Sequence, residues 1–235
     1  MSATDQALWL LKWSRDHWND RGLPWRDSEE PLDRRALVEG LLAQTRADAV
    51  ANEYLNIFDG VGTASEWMEL GEDEQHHRVA ALGLPKLKVR AVNGIARVLL
   101  YRDASRSILD ALDAQKGIGP YTAGMVATLL GEPAAPVDCN VERVGRRVDP
   151  ECAPSIWIGE LIDRSIIVSD GENGDFPAPY RLVSMVLDIG ASLCSMVRLP
   201  ECDRCPLVGT CWHSMHGRMQ RSFNFAGMRE GDVDG

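Results

Sequence analysis

No apolar run in this sequence approaches the roughly 18 residues that a membrane-spanning helix needs, so no transmembrane segment is predicted. The N-terminus, MSATDQALWLLKWSRDHWND, lacks a basic start followed by an apolar core and does not read as a secretory signal. Its Trp and Leu spacing suits an amphipathic helix instead. These absences predict a chain without membrane association, in a cytoplasm that keeps thiols reduced. Repeats and low-complexity tracts are missing, and so is a convincing ladder of strands. SIIVSD could form one, but a lone strand has nothing to pair with. Net positive charge is missing as well, the formal charge being −10. By net charge alone a nucleic acid would be a poor partner, yet distribution matters more.

Acid gathers in 27–33, in 66–74 and in the last residues. Between 86 and 106 stand Lys86, Lys88, Arg90, Arg97, Arg102 and Arg106 against the single acid Asp103. Arg143, Arg146 and Arg147 form a second basic cluster. Either could be a solvated helix face or an anion-facing surface. Apolar residues recur at helical spacing in 6–18, 35–58, 76–82, 88–101, 105–113, 121–130, 140–147, 156–168 and 180–194, with breaks at Gly and Pro. The pattern predicts an all-α fold with short connections between packed helices.

Three local patterns carry chemistry. Four of the six cysteines, Cys194, Cys202, Cys205 and Cys211, are separated by seven, two and five residues. Clustered thiols in a reducing compartment point to metal before disulfide. A zinc ribbon or knuckle would use the same four sulfurs, but it more often pairs two C-x₂-C arms. One such arm flanked by single cysteines suits a cubane [4Fe–4S] cluster, each iron holding one thiolate. In KGIGPYTAGMVATLLG (116–131), Gly117 and Gly119 flank Ile118 ahead of a helix. This is either an ordinary helix–helix turn or a nest of N–H groups for a phosphate. In VDCNVERVGRR (137–147), Asp138 stands just before a helix, where an acid caps orphan N–H groups or serves as a functional carboxylate.

The glycine hairpin, PVDCNVERV and the four-cysteine cluster, in that order, resemble the helix-hairpin-helix base-excision DNA glycosylases, which include endonuclease III and the MutY-type adenine glycosylases. LPWR (23–26) and VEGLLAQT (38–45) match the same pattern, so the resemblance covers about 20 to 213. It implies two helical domains. One is a six-helix barrel over 30–140 containing the hairpin motif at about 108–130. The other is an iron–sulfur domain of 1–29 plus 141–218, and 219–235 would be a flexible tail. It further implies a monomer that binds double-stranded DNA with a mismatched or damaged base, in the cytoplasm or, in a prokaryote, at the nucleoid. The target base would be flipped out, since glycosidic chemistry cannot be done inside a stack.

By resemblance the catalytic residues are Asp138, Glu39, Tyr121 and Asn140. Asp138 would stabilise the positive sugar or act as a transient nucleophile, Glu39 would act as general acid, and Asn140 would help hold the site. Endonuclease III carries a lysine at the position of Tyr121, which implies a glycosylase without efficient strand scission. DNA contacts would come from Gly117, Ile118, Gly119, Gln44, Leu84, Lys86 and Lys88, with Leu84 as a wedge and Gln44 filling the gap. The loop LGLPKLKVR, with Leu84 where MutY-type enzymes have tyrosine, resembles thymine(uracil)·guanine mismatch glycosylases. The alternatives are adenine opposite guanine or oxidised guanine, or an iron–sulfur DNA-binding protein that has lost catalysis.

Overall fold

The computed structural model describes residues 2–169 and 175–216; the expected tail, 219–235, lies outside them. Among the described residues the chain is all-α, with no strand. SIIVSD begins inside a helix, its Ser165–Val168 belonging to α10 (Pro154–Val168). No helix is long and apolar enough to cross a membrane.

Local chemistry starts the helices. In α1 (Ala3–His17) the Ser2 hydroxyl accepts from the Asp5 N–H while Asp5 reaches back to the Ser2 N–H, a reciprocal cap. The predicted single helix over 35–58 is in fact two, α2 (Leu32–Leu42) and α3 (Ala47–Ile57). Gln44, at φ +55°, breaks it. An apolar period cannot reveal that break, because buried apolar residues continue on both sides of it. A short helix that the periodicity missed, α4 (Ala64–Glu69), is set by a Thr63/Glu66 capping box, and α5 (Glu72–Val79) follows. Proline at the first turn opens α6 (Pro85–Tyr101), and α8 (Pro120–Leu129) beyond α7 (Ile108–Asp113). Next come α9 (Cys139–Val148), α10 and α11 (Ala178–Asp188), which runs into a π-turn, Ile189–Leu193.

Helix α2 packs on α6 and α8, while α1 returns to pack on α10 and α11. One continuous core joins these groups, with Leu37, Leu41, Tyr54, Trp67, Ile95, Leu161 and Val186 excluded from solvent. A buried ion pair joins the segment after α1 to the end of α11. Buried Arg26 donates to both carboxylate oxygens of Asp188, and Arg21 adds a contact at 2.9 Å.

Candidate active site

Asp138 caps α9. Its Oδ1 accepts from the N–H groups of Asn140 and Val141, both at 2.8 Å. Its Oδ2 accepts from Asn140 Nδ2 at 2.8 Å, and Asn140 Oδ1 in turn accepts from Arg143 at 2.5 Å. The capping reading is therefore right, but it uses one oxygen only. The other is held in orientation by a side chain that is itself held. Asn140 fits because Gly190 faces it: a Cβ there would come within 2.6 Å of Asn140 Cβ.

Glu39 lies on α2, facing inward, 2% exposed. Its neighbours Leu37, Val38 and Leu41 are buried, so the carboxyl has almost no water. Oε1 accepts from Tyr180 Oη at 3.3 Å, whereas buried Oε2 has no hydrogen-bond partner among the described residues. Burial pushes the carboxyl up to about 7, against partial relief from Tyr180 and Arg26. The Tyr121 phenol, on the first turn of α8, is raised well above its ordinary value by burial, then by the charges of Glu39 and Asp138. Tyr121 thus sits in the field of both carboxylates, one from α2 and one from the α9 cap. Tyr180 and Arg26 belong to this group too. Tyr180 carries no sequence signal beyond its place in an apolar run, and LPWR marked Arg26 without giving it a role.

The hairpin joins α7 to α8. Gly117 adopts φ +93°, and a Cβ there would fall 2.9 Å from the Arg90 side chain. Neither the Gly117 nor the Gly119 N–H has a partner among the described residues, while half-buried Ile118 packs on the core. Gln44 and Leu84 are both solvent-exposed, and are the non-glycine residues with positive φ among those described, at +55° and +50°. Left-handed backbone at such residues costs about 1 kcal/mol or more and clusters where function demands it. Lys86 is exposed.

Lys88 is a correction. Predicted to face DNA, it is fully buried instead. Its Nζ donates to the carbonyls of Leu41 (2.8 Å) and Ala43 (3.1 Å) and to the Thr45 hydroxyl. A buried ammonium needs such partners. Three acceptors around Gln44 supply them, and the Lys88 N–H bonds the Leu84 carbonyl at 3.1 Å. One lysine therefore ties the Gln44 turn to the start of α6, where Leu84 sits.

The four cysteines line one cavity, shared with Arg147, Leu193 and Val208. Burial pushes the Cys205 thiol up to about 12, with the other three thiols adding to the shift. Among the described residues no group of three or more His, Cys, Asp or Glu is placed to hold a single metal ion. Two arginines of the second basic cluster are committed here rather than offered to an anion. Arg143 donates to the carbonyls of Gly190 (2.6 Å) and Cys194 (2.8 Å), one within the π-turn and one at its end. Arg147 donates to the Cys194 Sγ at 3.1 Å and the Ser195 carbonyl at 3.0 Å. Arg146 pairs with Glu142.

No family model matches the chain. It is 29% identical over 230 residues to an adenine DNA glycosylase of Arabidopsis thaliana, covering 82% of this chain and 34% of that protein, so it spans about a third of that relative. It is 26% identical over 183 residues to an endonuclease III of Rickettsia felis, covering 76% of this chain and 82% of that one. In fold it is similar to a thermostable thymine-DNA glycosylase, with a TM-score of 0.66 and 21% identity over 91% of this chain and 97% of that one. In sequence the chain is thus similar to endonuclease III and to an adenine DNA glycosylase, and in fold to a thymine-DNA glycosylase, the group whose motif order its own sequence resembles.

Proposed function

We propose that this protein is a monofunctional base-excision DNA glycosylase that hydrolyses the N-glycosidic bond of a flipped thymine or uracil opposite guanine. One observation carries the reading: the buried, unpartnered Oε2 of Glu39, grouped with a Tyr121 phenol that feels both Glu39 and Asp138. A carboxyl held near neutrality can give its proton to a departing base. An ionised carboxylate opposite stabilises the positive sugar. Water then adds its oxygen to the anomeric carbon and releases a proton, which restores the acid. Gln44 and Leu84, held in strained turns, would fill the space the base vacates. Residues 30–140 would form the barrel and 1–29 with 141–218 the second domain, with duplex DNA between them.

Tyr121 occupies the position where an amine would be needed for strand cleavage. Purified protein incubated with a panel of mismatched duplexes should release thymine or uracil opposite guanine, with strand breaks appearing only after alkali. Borohydride should trap little covalent adduct. Efficient trapping would overturn the monofunctional reading. The sequence relative named an adenine glycosylase makes adenine opposite guanine or oxidised guanine the second substrate on the panel. Silence on every duplex would leave a binding protein without catalysis.

The cysteine cavity fits a [4Fe–4S] cluster: four thiols surround one space and a guanidinium reaches one sulfur. When bound, such a cluster supplies a rigid cross-link among four thiolates. The chain's own part is to gather Cys194, Cys202, Cys205 and Cys211 and to fix the first through Arg143 and Arg147. Anaerobically purified protein should be yellow-brown, with about four irons per chain. Colourless protein with one stoichiometric zinc would restore the ribbon reading.

A further inference from the structure

A cleft of about 670 Å³ lies between α5, α6 and the end of α7, away from Asp138, Glu39 and Tyr121. Lys86, Arg90 and Arg97 line it from α6 and Lys116 from the hairpin; Glu72 and His76 of α5 form the facing wall. Of the six cations between 86 and 106, Lys88 is buried, and Arg102 and Arg106 bond carbonyls of the 103–110 turn. Lys86, Arg90 and Arg97 remain, all exposed. None of the cleft's four cations has an ion-pair or hydrogen-bond partner among the described residues. Asn93, also in the cleft, accepts from Trp67 and donates to Gln75.

In a chain of net charge −10, four unpaired cations facing one carboxylate repel one another and lower the stability of the fold. A polyanion relieves that cost. The spacing indicates its shape. Residues 86, 90, 93 and 97 fall on one face of α6, and eleven residues of helix span about 17 Å. Phosphates of one strand recur every ~3.4 Å along the duplex axis and lie farther apart along the winding backbone, so the stripe can follow a few phosphates of one strand. Gly117 rests on the Arg90 stem, which puts the Arg90 guanidinium at the junction of stripe and hairpin.

We propose that this cleft is a second phosphate track, in which the backbone of duplex DNA flanking the target leaves the hairpin amides and follows α6 from Arg90 to Arg97. It rests on the DNA reading above but not on the chemistry, and it assigns Arg97 and Lys116 to binding.

The test is the salt dependence of binding to a long undamaged duplex, in wild type and in an Arg97→Gln, Lys116→Gln double variant, with thermal melts to confirm the fold. Loss of two phosphate contacts should reduce the slope of log K against log salt by about 2, equally for any sequence. Arg97→Lys with Lys116→Arg should keep the wild-type slope. An unchanged slope in the Gln variant would overturn the track. So would inorganic triphosphate binding that depends on Arg97 and Lys116 without competing with duplex, which would make the cleft a small-anion site. A slope that falls in a protein inactive on every mismatch would sink only the catalytic reading. Excision with a slope that ignores these residues would sink only the track.

Discussion

Replacing Asp138 with asparagine should lower single-turnover base release by about 10²-fold or more, about 3 kcal/mol of lost electrostatic stabilisation, while the protein still folds and binds DNA. Asparagine can keep the cap, since its oxygen can still accept from the Asn140 and Val141 N–H groups. The second oxygen becomes an NH₂ group facing Asn140 Nδ2, which now donates to it at 2.8 Å. Asn140 cannot turn over freely, because its own oxygen accepts from Arg143. One half-buried donor is thereby left without its partner, at about 1 kcal/mol of stability. The two readings of Asp138 thus separate by the ratio of effects. A modest fall in melting temperature with a hundredfold loss of excision marks a working carboxylate. Small and comparable losses in both would make Asp138 a cap and nothing more.

Glu39→Gln should change stability and activity in opposite directions. The native carboxyl is held near 7 rather than the usual 4.5. Between those values the folded protein keeps a proton that the unfolded chain has released, so stability falls as pH rises through that window and then levels off. At about 1.4 kcal/mol per unit the loss is on the order of 3 kcal/mol. Glutamine does not titrate, so the variant should gain about that much on wild type between pH 5 and pH 8. Comparing each protein with itself removes any fixed cost of burying the amide. Excision at neutral pH should meanwhile drop by about 10² or more if Glu39 is the acid, and wild-type excision should decline above about pH 7. Parallel stability curves for the two proteins would show that Glu39 titrates normally. An active Gln variant would remove Glu39 from the chemistry.

How much of this was legible depends on what kind of force places each residue. The all-α class, the positions of most helices and the cap at Asp138 follow from periodicity and local hydrogen bonds, which act within a turn or two of chain. The four cysteines and the glycine hairpin could be read for the same reason, since their spacing is their chemistry. Beyond that range the sequence misleads or is silent. Lys88 sits in a basic run and reads as a surface cation, yet α6 packs on α2 and turns it inward, where three acceptors around Gln44 hold its charge. Arg143 and Arg147 could be read as part of a solvated helix face or of an anion-facing surface, but groups at and just before the first cysteine, from Gly190 to Ser195, claim them instead. The grouping of Glu39, Tyr180, Tyr121 and Asp138 draws on four helices and a span of 141 residues between its outer members. Only tertiary packing decides such contacts: desolvation and pairing depend on what the fold brings near, and no spacing along one helix records that.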